Sequence, residues 1–108
     1  MNFGLSEEAL EAIRAVLGRY PAVEEAVVFG SRSLGREHPR SDVDIALLGE
    51  ISPLEAENIA LELDDLPLPF HFDVQALAAI SHGGLLAHIA RAGQTIYHKP
   101  AAAAAGRD

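Results

Sequence analysis

From Gly30 to Asp44 the chain reads Gly30-Ser31-Arg32-Ser33-Leu34-Gly35-Arg36-Glu37-His38-Pro39-Arg40-Ser41-Asp42-Val43-Asp44, a small-residue turn followed by two closely spaced carboxylates. The turn follows the apolar run Ala26-Val27-Val28-Phe29, which reads as a buried strand. Where a strand end turns into a helix, free backbone N–H groups favour an anion, so Gly30 and Ser31 are candidates for holding phosphate. Asp42 and Asp44 are two residues apart on a second strand whose other face carries Val43, Ile45 and Leu47. Both carboxylates therefore point the same way. Phosphate grip beside paired acids suggests chemistry on a nucleoside triphosphate.

The Cα atoms of Asp42 and Asp44 should lie roughly 6.5–7 Å apart, and their side chains can close on a shared Mg²⁺, which prefers hard oxygen ligands. At about 6 Å and an effective dielectric near 20, two carboxylates repel by on the order of 3 kcal/mol, an upper figure for a cleft open to water. A cation answers that repulsion; folding alone gains nothing from it. A third acid is available in Phe70-His71-Phe72-Asp73-Val74-Gln75-Ala76-Leu77. Here Phe72 and Val74 form one face and His71, Asp73 and Gln75 the other. If this strand lies beside the one carrying Asp42 and Asp44, about 4.8 Å away, all three acids converge on a two-metal nucleotidyl-transfer site.

On Gly30, Ser31, Asp42, Asp44 and Asp73 the chain resembles a minimal nucleotidyltransferase, the small stand-alone branch of the DNA polymerase beta superfamily. That superfamily is recognised by Gly-Ser, a spacer, Asp-x-Asp and a third acid on a later strand. The resemblance spans residues from 5 to 98. It implies that Asp42, Asp44 and Asp73 bind a catalytic pair of Mg²⁺ ions, that Gly30 and Ser31 hold the triphosphate of ATP, and that Asp73 also helps deprotonate the attacking hydroxyl. One departure is Leu34, where many relatives carry Arg before the second Gly; Arg32 and Arg36 are the candidates to fill that electrostatic role. Small proteins of this branch pair with a helical HEPN-domain ribonuclease as antitoxin and toxin. The resemblance therefore implies a HEPN partner, silenced by transfer of AMP from ATP to a tyrosine hydroxyl. Two other functions compete with this expectation: a non-catalytic module that neutralises its partner by occlusion, and nucleotidyl transfer to a small molecule.

At 108 residues the chain suits one domain, expected over residues 1–100, large enough to bury roughly 60–70% of its unfolded surface. That leaves no room for a separate acceptor-binding domain, so the acceptor grip is expected from a partner or from an oligomer. A formal charge of −8 argues against general nucleic-acid binding. Yet Arg32, Arg36 and Arg40, three of only eight basic residues, cluster between the turn and the acids, where a polyphosphate meets positive charge. There is no cysteine, hence no disulfide or thiol chemistry. Neither a signal peptide nor a membrane-spanning segment is legible, and a cytoplasmic location with no membrane role is the default expectation.

The elements that must position these residues follow from caps and periodicity. Ser6 caps a first helix marked by Leu10, Ile13 and Leu17 and closing near Gly18. Residues 24–29 and 42–48 read as strands joined by a short helical turn after Ser31. Ser52 and Pro53 open a helix over 53–65, residues 70–77 form the third-acid strand, 84–92 a last helix, and Thr95 to His98 a short extended end. The sum is an α/β domain of polymerase beta-like nucleotidyltransferase fold, a mixed sheet flanked by helices. Residues 101–108, an alanine run followed by Gly-Arg-Asp, form a low-complexity tail with no assigned function. The five histidines lack metal-ligand spacing and read as structural or exposed, with His71 notable for sharing the face of Asp73.

Overall fold

Two serines start the two longer helices. In the computed structural model, which describes residues 5–29 and 42–100, α1 spans Glu7–Leu17 and α2 spans Pro53–Asp64. The Ser6 hydroxyl accepts from the Ala9 N–H at 3.0 Å and the Ser52 hydroxyl from the Glu55 N–H at 3.1 Å, each satisfying an amide the helix cannot. Glu7 and Glu8 complement the dipole at the start of α1, and Pro53 opens α2 with its fixed φ. A shorter helix, α3, spans Gly83–Ala92; there His82 is the cap, its Nδ1 accepting from the Leu85 N–H at 3.0 Å.

The strands are β1, Glu25–Phe29; β2, Val43–Leu48; β3, Phe72–Ala76; and β4, Gln94–His98. They form one sheet in the order β3-β2-β1-β4. β1 runs antiparallel to both β2 and β4, whereas β2 and β3 are parallel, with α2 as the crossover that parallel pairing demands. The mixed sheet flanked by helices is thus as expected. Two features were not: the C-terminal extended piece is a full sheet member, and a single 3₁₀ turn at Leu77–Ala79 follows β3. The expected helical turn after Ser31 lies outside the described residues.

Strand alternation divides the apolar residues between two faces. Val28 from β1, Val43, Ile45 and Leu47 from β2, Phe72 from β3 and Ile96 from β4 pack with Leu5, Ile13 and Leu17 and with Ile59 and Leu63 of α2 in the main core. Each such side chain contributes about 1.5–3 kcal/mol by leaving water. The opposite face carries a smaller cluster of Phe29, Ala46 and Ile89, edged by Val27, Leu77, Ile80 and Leu85, so α3 shields that side. At the end of β2, Gly49 adopts φ 130°, and a Cβ there would stand 2.0 Å from the Ala22 carbonyl oxygen. Only glycine permits both the conformation and the approach.

Candidate active site

The face shielded by α3 also bears the acids. Val43, Ile45 and Leu47 are buried in the main core, which turns Asp42 and Asp44 to the other side, where Asp42 is exposed and Asp44 half-buried. In the parallel ladder Asp44 is the register partner of Asp73, and Val43 that of Phe72. The Val43 N–H donates to the His71 carbonyl at 2.8 Å, extending the pairing to the residue before β3. Asp44 and Asp73 thus project from adjacent strands about 4.8 Å apart. On its other side Asp44 is paired with Phe29, the last described residue of β1. Gly30, Ser31 and Arg32, the expected triphosphate ligands, lie outside the described residues, as do Leu34, Arg36 and Arg40.

Electrostatics follow from this placement. Burial, then the neighbouring carboxylates of Asp73 and Asp42, push the Asp44 carboxyl above its ordinary range. Each of the three acids offers hard carboxylate oxygens of the kind Mg²⁺ selects. Among the described residues no three acid or histidine side chains are drawn close enough together to hold an ion as they stand. The donor set nevertheless fits a divalent cation chemically: it is all oxygen, it is uniformly negative, and its most buried member is held at an electrostatic cost.

A side chain of α2 anchors the start of β3. Asp64, the last residue of α2, accepts from the Phe72 N–H through Oδ1 at 2.9 Å, while its Oδ2 lies 3.4 Å from His71 Nδ1. One carboxylate therefore ties the end of the crossover helix to the start of β3, one residue before the acid.

Comparison with known proteins decides the family. A family model described as "Polymerase beta, Nucleotidyltransferase" matches residues 11–101. The chain belongs to the polymerase beta nucleotidyltransferase family. Solved structures with the same fold include a toxin–antitoxin complex with AMP-PNP, 23% identical over 85% of this chain and 75% of that one, with a TM-score of 0.71. Another is the MntA–HepT toxin–antitoxin, at 18% identity, 87% and 74% coverage and a TM-score of 0.67. A third, from Shewanella oneidensis, holds a tri-AMPylated HEPN toxin in complex with an MNT antitoxin, at 19% identity, 86% and 72% coverage and a TM-score of 0.66. No curated protein matches the chain in sequence.

In this nucleotidyltransferase, Asp64 escaped sequence reasoning. A signal for it existed: Asp64 and Asp65 end α2, where the helix dipole disfavours negative charge, so an acid there is there for another contact. Tyr20 was expected simply to pack at an element end; it does pack against the core, and its hydroxyl also donates to Glu62 of α2, which Arg19 joins as well. Among the described residues no helix is long and apolar enough to cross a membrane.

Proposed function

We propose that this nucleotidyltransferase transfers AMP from ATP to a hydroxyl, most specifically a tyrosine, of a HEPN-domain toxin and so acts as its antitoxin. The observation that carries the reading is the Asp44–Asp73 register, which gathers on one sheet face, with Asp42, the acids that metal-assisted nucleotidyl transfer requires. Support for the acceptor comes from the fold neighbours, one of which is a HEPN toxin bearing AMP in complex with its MNT antitoxin. Another binds AMP-PNP, an ATP analogue. The cytoplasm, where ATP and Mg²⁺ abound, is the compartment this reading requires.

Asp42, Asp44 and Asp73 would hold the proposed pair of Mg²⁺ ions, which when bound supply charge neutralisation at the phosphate oxygens. Gly30 and Ser31 would present backbone donors to the triphosphate, with Arg32 adding positive charge. The acceptor oxygen forms a bond to the α-phosphorus as the bond from that phosphorus to the α,β-bridging oxygen breaks. Pyrophosphate leaves, and the hydroxyl proton passes to Asp73 or to water. Such transfer depends mainly on in-line positioning and on stabilising developing charge, so a small rigid sheet suffices on the enzyme side.

The test is direct. Incubating the protein with MgATP and a HEPN-domain protein encoded beside it should add the mass of one or more AMP units to that protein, located by tandem mass spectrometry on tyrosine. Absence of any AMP adduct with either Mg²⁺ or Mn²⁺ would reject the proposal.

A further inference from the structure

Asp73 stands on the edge strand of the sheet. Besides pairing with Asp44, it lines a cleft of about 350 Å³ between α2 and the outer edge of β3, together with Glu57, Leu61, Asp64, His71 and Val74. That volume sits at the small end of the ~300–1,000 Å³ range of ligand sites. The cleft lies at the sheet margin, because β3 is the edge strand. On that side no further strand covers β3 among the described residues.

Three properties of the cleft decide what it can take. First, Glu57, Asp64 and Asp73 are its carboxylates, and among the described residues no Lys or Arg lines it. Three carboxylates disfavour a triphosphate there, so this opening suits the other substrate. Second, Leu61 is 66% exposed on the outer face of α2, while Ala56, Ile59 and Leu63 bury the inner face. A large apolar side chain that is left in water beside an acidic pocket matches a partner offering both charge and apolar surface. Third, Asp73, the acid proposed to take the acceptor proton, is itself among the residues that line the cleft.

We infer that this cleft is the acceptor groove, and that it takes a protein segment whose hydroxyl residue is flanked by Lys or Arg and by an apolar side chain. The inference rests on the proposed transfer to a protein hydroxyl and specifies the chemistry of that acceptor. Charge complementarity selects the segment: the groove lines its apolar surface with carboxylates, and a basic flank pairs with Glu57 while an apolar neighbour covers Leu61. Asp64 keeps its place as a tie between α2 and β3.

Two fluorescent tyrosine peptides of equal length test it, one flanked by Lys and Leu, the other with Glu in place of each Lys. The full chain should bind the basic peptide at least tenfold more tightly by anisotropy. Glu57→Lys should erase that preference, and Leu61→Ser should weaken binding of the basic peptide several-fold. Both positions are exposed, so neither variant threatens the fold. Equal binding of the two peptides, no binding of either, or a preference that survives Glu57→Lys overturns the groove. Transfer from α-labelled ATP, followed in parallel, separates this inference from the function it rests on. A basic peptide bound with the expected preference but never labelled upholds the groove and counts against the transferase, whereas labelling of both peptides alike, indifferent to Glu57→Lys, does the reverse.

Discussion

At Asp44 stability and chemistry pull in opposite directions. Its carboxyl is partly withdrawn from water and stands beside Asp73 and Asp42, so its ordinary charge is disfavoured in the folded chain. A folded-state pKa raised above the unfolded one means that the native protein binds the proton more tightly. The charged form then costs stability above that raised value, and acidification through the carboxylate range relieves the cost. Asp44→Asn should therefore leave metal-free stability unchanged or raise it by up to about 1 kcal/mol, since solvent screens part of the repulsion. The gap between the two proteins should narrow as the pH falls, as measured by thermal melting in EDTA. The same substitution should lower nucleotidyl transfer by at least about 10²-fold, because a carboxylate that positions a cation supports several kcal/mol of transition-state charge. Mg²⁺ with ATP should raise the melting temperature of the parent but not of the variant. A variant that is less stable than the parent and fully active would contradict both halves. How the acids meet was half legible in the sequence. Period-two alternation assigns Asp42, Asp44 and Asp73 to faces, but the pairing of Asp44 with Asp73 is a contact between distant segments that no local pattern encodes.

The elements were legible where their ends carry chemical punctuation. Ser6, Ser52, Pro53 and Gly18 mark helix limits because they satisfy or replace terminal backbone groups, and the structure uses each of them so. β4 was legible only as an extended piece: Thr95 to His98 is short, its place beside β1 comes from the ladder itself, and Arg14 Nε of α1 ties it to that helix by donating to the Ile96 carbonyl at 2.7 Å. Joining α1 to α2 is the contact of Arg19 and Tyr20 with Glu62, and hydrogen bonds first from Tyr20 and then from Arg19 hold the Glu62 carboxyl below its ordinary value. A lowered folded pKa contributes stability that is present above the unfolded value of 4.5 and is lost as pH falls through the folded one. Glu62→Gln should accordingly flatten the acid limb of the stability curve below about pH 4.5 while leaving transfer at neutral pH intact, as judged by urea unfolding across pH. A sharper break is expected at Gly49→Ala. Its positive φ and the Ala22 carbonyl in the path of a new Cβ together predict a loss of about 2–5 kcal/mol, readable as a fall in the urea midpoint. A midpoint shift no larger than that of an exposed alanine substitution would show that the β2 end can relax.

Over the whole molecule, charge bears on which acceptors fit. A formal charge of −8 repels polyanions, and the described residues present the acids on a single sheet, so a nucleic-acid acceptor is disfavoured. Non-specific DNA or RNA binding normally needs several phosphate-neutralising cations. Retention of labelled oligonucleotides by the free protein is accordingly expected to be undetectable at about 0.15 M salt. On the proposed function the acceptor is held by a partner or by the groove beside Asp73, and two ways of silencing that partner make different predictions. If transfer does the silencing, an Asp42→Asn, Asp44→Asn double variant should still form the complex, because Asp42 and Asp44 do not line the α2–β3 cleft, yet should fail to protect cells from the partner. If burial of the partner's active site does it, the same variant should protect as well as the parent. Complex formation by size-exclusion chromatography, measured alongside growth rescue, distinguishes the two. The cost the fold accepts at Asp44 favours transfer: a binding module would gain by replacing a half-buried, repelled carboxylate with a neutral side chain, and a catalyst would not.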